Sequence, residues 1–239
     1  MQMLKAEGVR KSFGGLTAVD GVDFDVEKGE IMGLIGPNGA GKTTFFNLIS
    51  GAIPLDSGTI VFNDKKISGF KPHKICRLGI GRTFQTAKNF PGMSVRENAI
   101  MGALFGKRGG TRKQAEQDVG QVLDFVGLTE LQDRHIPDLT LAAQKRVEVA
   151  RALATKPSLL MLDETMAGLN PTEVEEAMAL VRKIRDSGIT VIMIEHVMRA
   201  IMNICDRIVV LHHGARIAAG TPEEISTNSA VVEVYLGHG

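Results

Sequence analysis

The 239-residue chain is long enough for one large domain or for a core carrying an inserted lobe. Its 28 lysines and arginines almost balance 27 aspartates and glutamates, which argues against a general nucleic-acid binder. The two cysteines, Cys76 and Cys205, have no CxxC spacing, so neither a disulfide framework nor a zinc site is expected. The N-terminal stretch MQMLKAEGVRKSF lacks an apolar core and a cleavage pattern, so no secretory signal is read there. The apolar runs are strand-sized, well short of the roughly 20 residues of a membrane helix.

In chain order, the opening is β-rich. Val22, Phe24 and Val26 alternate with acidic residues before Lys28-Gly29, the pattern of a half-buried strand. Residues 31–35 form a short apolar strand that runs into a glycine-rich loop, and 43–49 can continue as a helix with an apolar face. Residues 58–62 are a further strand. In the middle, 111–126 and 142–155 read as helices, with Lys107-Arg108-Gly109-Gly110 as a turn. Residues 158–162 and 190–194 are continuous apolar strands of the kind covered on both faces of a parallel sheet. The helix expected over 171–186 makes them a βαβ unit. The predicted fold is α/β, a core carrying an inserted α-helical lobe. The core is assigned to 1–86 and 158–239, and the helical lobe to 87–157.

Gly36-Pro37-Asn38-Gly39-Ala40-Gly41-Lys42-Thr43-Thr44 satisfies G-x-x-x-x-G-K-[ST] between a strand and a helix. Glycines allow the backbone amides to converge on phosphate oxygens, and the helix N-terminus adds partial positive charge. Lys42 is expected on the β- and γ-phosphates of ATP and the Thr43 hydroxyl on Mg²⁺. The strand ending at Asp163-Glu164 brings two carboxylates to the same sheet edge. Asp163 suits Mg²⁺ and Glu164 suits the attacking water. His196 leaves the next strand, within reach of a γ-phosphate.

These pieces resemble the ATPase subunits of ABC transporters over almost the whole chain, and the resemblance implies their fold: a P-loop NTPase core with a mixed sheet, an N-terminal antiparallel β subdomain and an inserted α-helical subdomain. The resemblance implies that Phe13 stacks on adenine, a contact worth about 1–3 kcal/mol where aromatic rings stack on bases. It also implies that Gln85, in Arg82-Thr83-Phe84-Gln85-Thr86, contacts Mg²⁺ or the water and links core to lobe. His196 becomes the switch histidine, and Gly168-Leu169-Asn170-Pro171 a loop that pairs across a dimer, with Asn170 where the family usually has aspartate. Thr165 replaces a common proline after the Asp163-Glu164 pair. The family's Leu-Ser-Gly-Gly-Gln signature falls on Thr140-Leu141-Ala142-Ala143-Gln144. Leu141 then brings no hydroxyl to the γ-phosphate held by the opposite subunit, a loss of about 1.5–3 kcal/mol. Two explanations stay open: a heterodimer with one strong and one degenerate site, or a subfamily that tolerates a variant signature.

Within the family, Gly81-Arg82-Thr83-Phe84-Gln85 and the closing Val232-Glu233-Val234-Tyr235-Leu236-Gly237 are similar to importers of branched-chain amino acids. So is the long segment between Gln85 and the signature. Urea, amide and other small-solute importers are near neighbours. The resemblance implies a second ATPase subunit, membrane-spanning permease subunits and a peripheral place on the cytoplasmic face of the membrane. The rivals are a soluble phosphotransferase and a soluble ABC-type switch acting on ribosomes or DNA. No heptad run supports the second. The basic stretch 71–113, whose only carboxylate is Glu97, reads as a solvated face or a face toward anionic lipid, with RNA as the remaining option.

Overall fold

The computed structural model describes residues 1–84, 89–106 and 111–236, without the side chains of 112 and 236. Two sheets carry the fold. β1 (Gln2–Phe13) turns at Gly14-Gly15 into β2 (Leu16–Glu27), and β1 also pairs with β4 (Ser57–Phe62). β3 (Ile31–Ile35) and α1 (Lys42–Ile49) lie between β2 and β4 in the chain but belong to the second layer. β5 (Lys65–Lys66) completes the order β2-β1-β4-β5, antiparallel throughout.

α2 (Pro72–Leu78) leads to the three-residue strand β6 (Ile80–Arg82). The helices α3 (Val95–Phe105), α4 (Arg112–Phe125) and α5 (Leu141–Ala154) follow. β7 (Leu159–Asp163), α6 (Pro171–Asp186), β8 (Thr190–Ile194), α7 (Met198–Ile204), β9 (Arg207–His212), β10 (Ala215–Gly220), α8 (Pro222–Thr227) and α9 (Ser229–Leu236) complete the chain. The second sheet runs β10-β9-β3-β8-β7-β6. All its neighbours are parallel except the β9–β10 hairpin.

The central strands are apolar at every position because each face meets a different core, and successive side chains point to opposite faces. Ile31, Ile35, Leu160, Leu162, Val191 and Met193 face the helical side, with α3–α7. Met32, Leu34, Leu159, Met161, Ile192 and Ile194 face α1 and the antiparallel sheet. Aliphatic burial on both faces keeps the sheet rigid, so the loops at the carboxyl ends of β3, β7 and β8 are held in fixed relation.

The strands expected at 31–35 and 190–194 and the helix at 171–186 form over those residues. Helices α4 and α5 lie within one residue of expectation at each end. α3 was not anticipated, although Ser94 and Glu97 form a reciprocal capping box at its start that the sequence displays.

Candidate functional site

A cleft of about 540 Å³ opens beyond the carboxyl end of β3. It is lined by the loop from Asn38 to Thr44, by Phe13, Leu16, Thr17 and Ala18 from the first hairpin, and by Glu164, His196 and His213. Backbone geometry builds the cradle half. Gly36, Gly39 and Gly41 all have positive φ. At Gly41 (φ 97°) a Cβ would also collide with the Ala18 carbonyl, and at Gly36 with that of Leu211, so these two positions tolerate only glycine. Ala40 and Gly214 are joined by a backbone hydrogen bond, Gly214 N to Ala40 O at 3.1 Å, which ties the β9–β10 turn to the cradle.

Lys42 opens α1 and is buried. Its ammonium donates to the carbonyls of Gly36 (2.7 Å) and Pro37 (3.0 Å), folding back over the loop it would share with a phosphate. Burial lowers its proton affinity, opposed by the negative charge of Glu164 and Asp163. An anion arriving here finds a desolvated cation and a helix N-terminus, both of which favour it. Phe13 ends β1 half-exposed (49%), with Lys11 Nζ 5.4 Å from its ring centre, so a free aromatic face borders the cleft.

The carboxylate half is built by long-range side-chain bonds. Asp163 is fully buried at the end of β7. One of its oxygens is paired with Arg82 at 2.9 Å and its N–H donates to Thr83 Oγ1 at 3.0 Å. Its other oxygen, Oδ1, is buried with no hydrogen-bond partner among the described residues. Burial raises the carboxyl above its ordinary range despite Arg82 and Lys42. An additional cation at Oδ1 would relieve that cost. Glu164 follows in the left-handed region (φ 52°), its N–H on Ile194 O at 2.9 Å and its carbonyl accepting from Lys145 Nζ at 2.7 Å. Its carboxylate Oε1 lies 2.9 Å from His196 Nε2.

The structure therefore brings Lys42, Thr43, Glu164, His196 and Phe13 to one cleft, with Asp163 buried behind Glu164. Gln85 lies outside the described residues. Leu141, Ala142, Ala143 and Gln144 do not line this cleft. They open α5, with Leu141 exposed and packed toward Gly168. The hydroxyl missing at Leu141 is present one residue earlier: Thr140 is the N-cap of α5, accepting from Ala143 N at 3.3 Å. Asn170 caps α6 reciprocally with Glu173, a task that asparagine and aspartate perform alike. Sequence reasoning did not single out Arg82, Thr83, Thr140, Lys145, Glu195 or His213. Thr140 carried a signal, a hydroxyl residue before an expected helix. Arg82, Thr83, Lys145 and Glu195 act through partners far away in the chain, and His213 reaches the cleft only through the β9–β10 turn.

The fold and this cleft define a nucleotide-binding cassette. Residues 19–167 match the ABC transporter family, and residues 215–239 match the branched-chain amino acid ATP-binding cassette transporter family. The chain is 40% identical to the high-affinity branched-chain amino acid transport ATP-binding protein BraF of Pseudomonas aeruginosa, with 98% of each chain covered. It is 37% identical to the lipopolysaccharide export system ATP-binding protein LptB of Escherichia coli, covering 99% of this chain and 98% of that one. A solved ADP conformation of an ATP-binding cassette of an ABC transporter superposes with a TM-score of 0.90 at 32% identity, over 100% of both chains.

The chain belongs to the ABC transporter ATP-binding cassette family. It is an ATPase and the ATP-binding subunit of a transporter. Among the described residues no helix is long and apolar enough to cross a membrane.

Proposed function

We propose that this chain is the ATPase of an importer for branched-chain amino acids, working as half of a dimer that closes on ATP and docked on membrane-spanning subunits at the cytoplasmic face. The convergence of Lys42, Glu164 and His196 on one cleft carries the hydrolytic part of this reading. The C-terminal match over 215–239 and the BraF relative support the substrate. The LptB relative supports a second reading, export of a lipopolysaccharide-type substrate. Co-purification separates the two: a partner permease accompanied by an amino-acid-binding protein supports import, and one accompanied by lipopolysaccharide overturns it.

In this reading the loop amides and Lys42 hold the β- and γ-phosphates, and Phe13 stacks on the base. Thr43, Asp163 and Gln85 would hold Mg²⁺. The orphaned Asp163 Oδ1 fits that task. Bound there, Mg²⁺ would offset the charge on the phosphate oxygens. Glu164 polarises the attacking water, and His196, hydrogen-bonded to it, faces the γ-phosphate. Thr140, its hydroxyl held by the Ala143 N–H, and the amides of Leu141 and Ala142 at the exposed start of α5 grip the γ-phosphate bound by the second subunit, itself either another copy or a related ATPase. With Thr140 supplying the hydroxyl, two copies of this chain suffice for two working sites.

Glu164→Gln tests the core of this reading. It is expected to keep Mg·ATP affinity, measured by calorimetry, while turnover falls about a hundredfold or more. Turnover near that of the unmodified protein would remove Glu164 from the chemistry.

A further inference from the structure

Glu195 is the last residue before His196 and is 1% exposed, yet nothing in the proposed hydrolysis uses it. Its Oε1 accepts two hydrogen bonds, from the N–H of Met166 at 2.8 Å and from Thr165 Oγ1 at 3.2 Å. Both donors belong to the residues directly after Glu164. Oε2 is buried with no hydrogen-bond partner among the described residues. Beyond the backbone bond from Glu164 N–H to Ile194 O, side chains join the two segments at two levels: in the cleft by Glu164 to His196, and beneath it by Glu195 to Thr165 and Met166.

That second joint has a physical task. Glu164 sits at φ 52°, a conformation that costs a residue bearing a Cβ about 1–2 kcal/mol and persists only where its surroundings enforce it. Ile194 O and Lys145 Nζ hold the N–H and the carbonyl of Glu164 itself, and Glu195 adds a grip on the backbone just beyond it, at Met166. Thr165 explains itself in the same way. Its hydroxyl adds a second bond to the same carboxylate oxygen. Lys145 of α5 and Glu164 are the charged groups that act on Glu195.

We propose that Glu195 is a positioning residue for ATP hydrolysis: it holds the backbone after Glu164 through Thr165 and Met166, and so sets the Glu164 carboxylate against the adjoining His196. The inference rests on the reading of Glu164 and His196 as the hydrolytic pair. Glutamine at 195 keeps the accepting oxygen, whereas alanine removes it.

The test is steady-state turnover and calorimetric Mg·ATP affinity of the full chain for Glu195→Ala, Glu195→Gln, Thr165→Val and, in parallel, Glu164→Gln. Glu195→Ala is expected to lower kcat about tenfold or more with Kd changed less than about twofold, because the cradle at Lys42 is untouched. Glu195→Gln is expected to recover most of kcat. Thr165→Val, which keeps shape and loses one hydrogen bond, is expected to lose kcat several-fold with Kd unchanged. That variant also carries the test if the alanine protein does not fold. Unchanged kcat in Thr165→Val, equal damage from glutamine and alanine, or a loss in Kd matching the loss in kcat would each overturn the positioning role. Active Glu164→Gln would instead sink the underlying assignment of the pair, whatever Glu195 does.

Discussion

The two halves of the cleft are made differently. At the end of β3 the chain builds its site from main-chain amides, glycine conformations and one lysine, all within the nine residues from Gly36 to Thr44. At the ends of β7 and β8 the site is built from side chains joined across the fold: Arg82 to Asp163, 81 residues apart; Glu164 to His196, 32 apart; Glu195 to Met166, 29 apart. The cradle needs only the correct backbone, so its defects should appear as lost binding. The carboxylate half holds buried charge in place, so its defects should cost stability as well as turnover.

The sharpest break in that contrast comes from Arg82→Ala. Removing one member of a buried ion pair strands the other charge, at a cost of about 3–5 kcal/mol. Urea unfolding measures it. A loss below about 1 kcal/mol would show that solvent reaches Asp163 and that the two halves differ less than their burial suggests.

Glu195 gives a pH-dependent version of the same contrast. Burial pushes its carboxyl up to about 7 from an ordinary 4.5, so the folded state holds a proton that the unfolded chain releases. That stabilisation is complete below about pH 4.5 and is lost as pH rises to about 7, a span worth about 3 kcal/mol. Glu195→Gln has no proton to lose. Its stability relative to the unmodified protein should climb by up to that amount between pH 5 and pH 8 in paired denaturant titrations. A constant difference would place the titration elsewhere.

The smallest effect belongs to the cradle side. Phe13→Ala should weaken ATP binding by roughly tenfold, the lower part of the 1–3 kcal/mol range for base stacking, and leave unfolding midpoints nearly unchanged. Unaltered affinity would assign Phe13 to strand packing with Lys11 rather than to the base.

Legibility in the sequence follows the same division. The central strands were readable because burial on both faces demands unbroken aliphatic runs, and α6 because Asn170, Pro171 and Glu173 mark its start. The edge strand β6 was not readable, since three residues paired only with β7 leave no periodic signature. The signature region was half-legible. Its departure from the family pattern stood out at Leu141, but only the observed start of α5 places the Thr140 hydroxyl at the helix cap. The Thr165 departure was visible too, while its reason, an oxygen on Glu195, was not.

By itself the amino-acid order determined the phosphate cradle, the alternation of buried strands and helices, and the pair of acids at a strand end, because each rests on spacing within about ten residues. Only the tertiary structure decided which buried cation faces Asp163, what restrains Glu164 in its left-handed conformation, and which strands lie side by side as β9-β3-β8-β7. Those outcomes depend on which surfaces close-pack and which charges must be paired once water is excluded, and no local pattern encodes a partner many tens of residues away.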